Sequence, residues 1–408
     1  MSSAPLKCQT DKSTDSMDWL IVGGGIHGVH MGVRLIAEAG VAPERLLIVD
    51  PGSRLLECWR TSTRNTGMTH LRSPAVHHLG LKPFDLLRFS GANCRGRGAP
   101  MGSFAQPYAR PSVEIFESHC DTLIDRYGLA SRHLKDRVLR ATPTCDSVGV
   151  EMESGRTVRT QHLVLALGAA EQPRWPSWAE ALRDEGAKVE QLFAPGFHLE
   201  TDDWPDRVCV VGGGISGVQA AIKLADAGKE VSIITRHAFR KHRFDSDPGW
   251  VGPKNMNAFS AVSDPAVRRG LITHARHPGS VPPKLFRTVK RAIANGTIRH
   301  HIADPFPVTT EAGICIPVGD TSFCVDALLL ATGFASHRPG GALVDTLVET
   351  HALPCAECGY PIVDKYLRWH SRVCVTGPLA ELEIGPVSRN IVGARRAAER
   401  IVRLAVAS

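Results

Sequence analysis

Long apolar runs are what this chain most plainly lacks. No stretch approaches the roughly 20 apolar residues that a membrane-spanning helix needs, and the polar opening, residues 1–16, has no apolar centre of the kind a secretory signal carries. These absences predict a cytoplasmic protein with no membrane partner, its residues 1–16 forming a disordered tail. Tracts of one charge are missing too. The net charge of +7 is mild for 408 residues and the cations are interspersed with acids, so no nucleic-acid partner is implied. The 11 cysteines are odd in number and irregularly spaced, which fits a reducing compartment better than a disulfide framework. One Cys-x-x-Cys, Cys355 and Cys358, lacks the second ligand pair that a zinc site requires, so no metal is expected. Its surroundings, Leu353 to Asp364, read as a hairpin with a glycine turn rather than as a thioredoxin-like junction. Histidines gather only in local pairs such as His77-His78 and His300-His301, which read as solvated loop residues.

What is present is one device written twice. Leu20-Ile21-Val22 runs into Gly23, Gly25 and Gly28, and Val208 to Val211 runs into Gly212, Gly214 and Gly217. Each copy follows a strand-like apolar run and opens a helix-like stretch. In such a unit the first glycine makes the tight turn, the second lets a pyrophosphate approach the backbone, and the third packs helix on strand. The copies differ at the residue ending the next strand, about 20 residues on, where the side chain meets the ribose of a bound adenosine. After the first copy, Arg45 to Asp50 ends in an acid, which accepts bonds from free ribose hydroxyls. After the second, Glu230 to Arg236 ends in a cation followed by His237, Arg240 and Lys241. A carboxylate would repel a 2′-phosphate, whereas a guanidinium binds one with two parallel bonds. The first unit therefore reads as an FAD site and the second as an NADPH site. His27 and His30, on the first of these helices, read as packing residues.

The length exceeds one core of usual size, and 43% hydrophobic content suffices to fill two or three. Strand-like Val158 to Leu167 ends in a turn-rich stretch, Asp326 to Phe334 repeats that pattern, Val373 to Gly377 is a further strand, and Gly385 to Leu404 reads as a final helix. The expected fold is α/β, with two Rossmann-like dinucleotide-binding domains and the NADPH domain inserted in the FAD domain. Its boundaries are 17–204 and 321–408 for the FAD domain and 205–320 for the insertion.

On these residues the chain resembles the two-dinucleotide-binding flavoproteins, and within them the flavin-containing monooxygenases and the enzymes that N-hydroxylate lysine and ornithine. The resemblance spans nearly the whole chain: the first glycine run, Trp59 soon after the ribose acid, the Ala166-Leu167-Gly168 turn, the second glycine run with Arg236, and Ala331-Thr332-Gly333-Phe334. The signature that Baeyer-Villiger and flavin-containing monooxygenases carry before the second glycine run is met only loosely by Phe193, Gly196, His198 and Trp204, which argues against ketone oxygenation.

The resemblance implies an enzyme in which NADPH reduces FAD and molecular oxygen passes, through a flavin hydroperoxide, to a soft nucleophile such as an amine nitrogen on a small-molecule substrate. Trp59, Met68, His70 and Arg72 are then candidate flavin neighbours. Thr332 and Gly333 belong to the matching turn, and Glu383, Ile384 and Gly385 stand at the entrance of the final helix, where free N–H groups favour negative charge. In Phe244 to Lys254, Asp245, Asp247 and Trp250 either form a lid or substrate loop, with Trp250 as its apolar cover, or merely cap a turn. Asp245 and Asp247 suit a cationic substrate; Arg72 suits a carboxylate. A reductase using the same cofactors, with a disulfide, quinone or partner protein as acceptor, stays open with Cys355 and Cys358 as its sign. So does a homo-oligomeric state.

Overall fold

The computed structural model describes residues 16–93 and 96–407. The expected tail lies outside them except for Ser16, which begins the first strand. Among the described residues no helix is long and apolar enough to cross a membrane.

Two sheets carry the architecture, and both are built around a glycine run. In the first, Ser16–Val22 lies between Leu46–Asp50 and Thr157–Leu165, all parallel, with Val22 opposite both Val49 and Leu165. His133–Lys135 extends it beyond Leu46–Asp50, and Val373–Val375 pairs with Thr157–Leu165 from the far end of the chain. Such strands are covered on both faces, which is why Leu20, Ile21, Leu163, Val164 and Leu165 form an unbroken apolar block with no exposure. The second sheet is parallel throughout, in the order Ile298–Ile302, Glu230–Thr235, Arg207–Val211, Ala327–Leu330, Lys188–Gln191. Val211 stands opposite Ile234 and Leu330, as Val22 stands opposite Val49 and Leu165.

Two expected elements fall differently. Ala327–Leu330 belongs to the second sheet, as does Lys188–Gln191, so that sheet reaches beyond 205–320 on both sides. The physical reason is symmetry: the strand carrying each glycine run needs a parallel neighbour on either side, and Ala327–Leu330 supplies for Arg207–Val211 what Thr157–Leu165 supplies for Ser16–Val22. The final helix begins at Ile391, not Gly385. A short 3-10 turn, Pro386–Arg389, precedes it, and Asn390 is extended, its Oδ1 accepting from Gly393 N at 3.1 Å as a cap.

Side chains far apart in sequence fix the two sheets' relation. Asn65, on the helix Glu57–Thr66, is buried; its Nδ2 donates to Leu192 O and Phe197 O at 3.1 and 2.9 Å, and its Oδ1 accepts from Leu199 N at 3.0 Å. Lys223 Nζ, on the second unit's helix, donates to Arg64 O and Leu199 O at 3.0 and 2.7 Å. On another side, Glu381 is fully buried and ion-paired to Arg269, Arg276 and Arg389.

Candidate dinucleotide sites and the seam between them

Each glycine run turns at the end of its strand. Gly23 N donates to Val49 O at 2.8 Å and Gly212 N to Ile234 O at 3.0 Å. The helices that follow, Ile26–Ala39 and Ile215–Asp226, start at Gly25 and Gly214 with no side-chain cap and no acid in the first turn. Their first N–H groups and the positive end of the helix dipole are thus left for an anion. A side chain on Gly25 would meet nothing within 4 Å, so the first cradle is open where a pyrophosphate would sit. These residues fit the diphosphate of a dinucleotide.

Asp50 is held for its task. Its Oδ2 accepts from Gly24 N at 2.7 Å and its Oδ1 from Gly52 N at 2.8 Å, which fixes the carboxylate at the strand end beside the cradle. Arg236 follows the strand Glu230–Thr235, is exposed, and has no ion-pair partner among the described residues. Free guanidinium at that point fits a phosphate.

The remaining candidates divide. Trp59 is half-buried and tilted onto Phe116, with ring centroids 5.2 Å apart, and Met68 N closes the preceding helix on Thr63 O at 3.0 Å. His70 Nε2 lies 2.8 Å from Gly102 O, and burial pushes its pKa below the ordinary value. Arg72 crosses between the units: it donates to Arg243 O, His242 O and Ser280 Oγ at 3.0, 2.9 and 3.0 Å. It clasps the second unit's backbone rather than a carboxylate.

Several residues are committed to packing. Thr332 Oγ1 donates to Arg174 O, and Gly333 O accepts from Arg174 N at 2.8 Å and Gln191 Nε2 at 3.0 Å, so this turn ties together the two chain crossings between sheets. Glu383 is ion-paired to Arg268 and Arg400 at 2.6 and 2.8 Å, Ile384 is buried, and a side chain on Gly385 would come within 3.2 Å of Met256 Sδ. The entrance expected there is filled by the helix Pro253–Ala261. Asp247 caps the 3-10 turn Pro248–Val251 through Gly249 N at 2.7 Å, and Asp245 is exposed. Trp250 is no free cover: its ring packs edge-on against Phe259 at 5.9 Å and its carbonyl accepts from Arg396 at 3.0 Å.

Histidine surroundings also correct the sequence reading. His78 is fully buried and packs edge-on against His119, while His300 and His301 stack on Phe239 and Phe323 at 4.4 and 4.1 Å. His30 is buried with Nδ1 2.8 Å from Leu79 O, as a packing residue would be. His27 Nδ1 lies 2.8 Å from Thr376 Oγ1, and burial lowers its pKa to about 4, so it is neutral at physiological pH. Cys315 and Cys324 are joined by a disulfide across antiparallel strands, a pairing their irregular spacing had not suggested, whereas Cys355 and Cys358 are free.

Residues 17–247 match the pyridine nucleotide-disulphide oxidoreductase family. No curated protein matches the chain in sequence. Among solved structures, the ornithine hydroxylase PvdA from Pseudomonas aeruginosa is similar with a TM-score of 0.73 at 19% identity, over 96% of this chain and 99% of that one. The cadaverine monooxygenase DfoA from Erwinia amylovora, bound to FAD, gives 0.72 at 15% identity over 96% and 95% of the two chains. The bacillithiol disulfide reductase Bdr from Bacillus cereus gives 0.63 at 16% over 96% and 99%. At these identities the likeness is one of fold. With more than half of its length matched, the chain belongs to the pyridine nucleotide-disulphide oxidoreductase family.

Proposed function

We propose that this oxidoreductase is an FAD-dependent, NADPH-consuming monooxygenase that oxygenates a soft nucleophile such as an amine nitrogen. The observation carrying the reading is the pairing, in one chain, of a glycine cradle ending in a fixed carboxylate with a second ending in a free guanidinium. FAD, when bound, supplies hydride acceptance from NADPH and the activation of oxygen. The FAD unit would be built from both ends of the chain and the NADPH unit from its middle. Gly25 and the first turn of Ile26–Ala39 would hold the FAD diphosphate, and Asp50 its ribose hydroxyls. Gly214 and the start of Ile215–Asp226 would hold the NADPH diphosphate, and Arg236 its 2′-phosphate. Arg72 would keep the units closed over the reacting ends and limit access of water.

One observation favours oxygenation over dithiol chemistry. Burial pushes the Cys355 thiol up, with the Cys358 charge adding to this and Arg338 only offsetting it, the reverse of what an attacking thiol needs, whereas Cys358 lies against the Arg269 guanidinium. The test is NADPH-driven oxygen uptake by the purified flavoprotein with a panel of amines and amino acids, scored by incorporation of labelled oxygen into product. Reduction of a disulfide or quinone acceptor with no labelled product from any panel member would replace the oxygenase by the reductase.

A further inference from the structure

Where the hairpin Phe104 to Pro111 of the first unit meets residues 242–244 of the second, the seam carries cations that no carboxylate pairs among the described residues. Arg110 is half-buried and donates only to Leu71 O, at 3.3 Å. Arg243 lies over the Tyr108 ring, 5.5 Å from its centroid. Arg72 runs alongside, spending its donors on carbonyls and on Ser280. Among the described residues none of Arg72, Arg110, Arg243 or Lys284 is ion-paired with a carboxylate. Asp245 acts on Arg72 and Glu114 on His70 only at longer range. Burial lowers the Arg110 guanidinium from its ordinary range, and the like charge of Arg243 adds to this. Such a cluster repels itself unless an anion joins it.

The second observation is aromatic. Tyr108 and Ala109 are consecutive non-glycine residues in the left-handed region, at φ 72° and 45°, a strained stretch of backbone. Tyr108 is 56% exposed, and its ring lies 5.5 Å from that of Phe244, tilted by 53°. Unpaired guanidinium groups beside an exposed Tyr108 and a half-buried Phe244 match a planar ring bearing a carboxylate, because Arg binds carboxylates through two parallel bonds while rings stack on rings.

We propose that this seam binds an aryl carboxylate, with Arg110 and Arg243 holding the carboxylate and Tyr108 and Phe244 walling the ring. As a binding statement it is independent of the oxygenase reading. As an assignment of substrate class, an aromatic carboxylate whose amine nitrogen is oxygenated, it rests on that reading.

The test is calorimetric titration of the full-length flavoprotein with 4-aminobenzoate, benzylamine, benzamide and inorganic phosphate, together with NADP⁺ binding. We expect 4-aminobenzoate to bind and the cationic and neutral rings not to. Arg243→Gln should weaken 4-aminobenzoate by about tenfold or more, and Phe244→Leu should weaken it without changing the folded fraction. NADP⁺ affinity should stay within about twofold in both variants. If Arg110→Gln does not fold, exposed Arg243 carries the test alone. Three results overturn the proposal: no binding of 4-aminobenzoate; phosphate bound as tightly and lost in the same variants; or loss of NADP⁺ instead, which would give the cations to the coenzyme. Binding of 4-aminobenzoate without its oxygenation would leave the site standing and count against the oxygenase.

Discussion

The two glycine cradles are alike in what the fold demands and different in what a ligand would feel. Gly23 and Gly212 both take a left-handed turn, at φ 111° and 128°. A side chain on Gly28 would lie 1.8 Å from Gly23 O, and one on Gly217 would lie 2.1 Å from Gly212 O. These glycines let the helix reach the strand, whatever binds. At the middle glycine the copies part. Gly25 faces open space, whereas a side chain on Gly214 would meet Gly279 Cα at 3.4 Å, because the segment around Ser280 crosses the second cradle. That segment is tied by Ser280 to Arg72 of the first unit. The difference teaches that the glycine pattern encodes the strand-to-helix turn, while ligand identity is written at Asp50, at Arg236 and in what covers the middle glycine.

The largest expected effect tests that division inside one copy. Gly28→Ala should cost more than about 4 kcal/mol, since the clash is with backbone that cannot move without breaking the turn. Gly25→Ala should leave the melting temperature of the FAD-free protein unchanged and lower the FAD retained on purification. Equal loss of stability in both variants, followed by thermal melts, would show that the middle glycine too is a packing residue.

Glu381, paired to Arg269 and Arg276 from the middle of the chain and to Arg389 near its end, helps hold the two units in one relation. Burial alone would raise its pKa, but hydrogen bonding from Arg389 and the charges of Arg276 and Arg389 hold it down to about 2. Because the folded value lies below the usual carboxylate value of 4.5, the stabilisation is present in full above about pH 4.5 and is lost as pH falls toward 2. Glu381→Gln leaves three arginines uncompensated and should cost roughly 3 kcal/mol at pH 7. Denaturant titrations should show the gap between the variant and the unaltered protein narrowing as pH falls below 4.5. A gap independent of pH would remove the charge from the explanation.

Exchanging the sign at the second strand end should have a smaller, specific effect. Arg236→Glu should weaken NADPH relative to NADH by about tenfold or more, roughly 1.4 kcal/mol, with flavin content and melting temperature unchanged. Equal flavin reduction rates with the two coenzymes in the unaltered protein would remove Arg236 as the discriminator.

Much of this architecture could be read from the chain because it is local. Each glycine run, the apolar strand before it and the residue ending the next strand lie within about 30 residues, the span of one βαβ unit. What could not be read depends on partners far away in sequence. Asn65 shows nothing until Leu192 and Phe197 are beside it. Glu381 looks like a surface acid until Arg269 and Arg276 arrive from the middle of the chain. Trp250, in a glycine- and proline-rich stretch, has the composition of a mobile loop, yet Phe259 and Arg396 hold it. Composition also misled at His78, since loop-like neighbours do not show that His119 and Arg395 enclose it.

The two units differ also in their sulfur, and this gives the smallest expected effect. The second carries the disulfide Cys315–Cys324 on its antiparallel strands, while Cys355 and Cys358 are free on a hairpin beside the first unit's C-terminal elements. That hairpin closes through Ala356 N to Tyr360 O at 2.9 Å and Gly359 N to Ala356 O at 2.8 Å. Burial pushes the Cys355 thiol up, and Cys358 is held against the Arg269 guanidinium, which Glu381 already pairs. Replacing both, Cys355→Ser with Cys358→Ser, should therefore leave flavin reduction by NADPH and oxygen uptake within about twofold of the unaltered protein, a change too small to separate from protein quality. Stopped-flow reduction of the bound flavin measures this directly. If reduction by NADPH persisted while electron delivery to an acceptor disulfide disappeared, the free pair would be the redox dithiol, and the first unit would serve a disulfide reductase rather than an oxygenase.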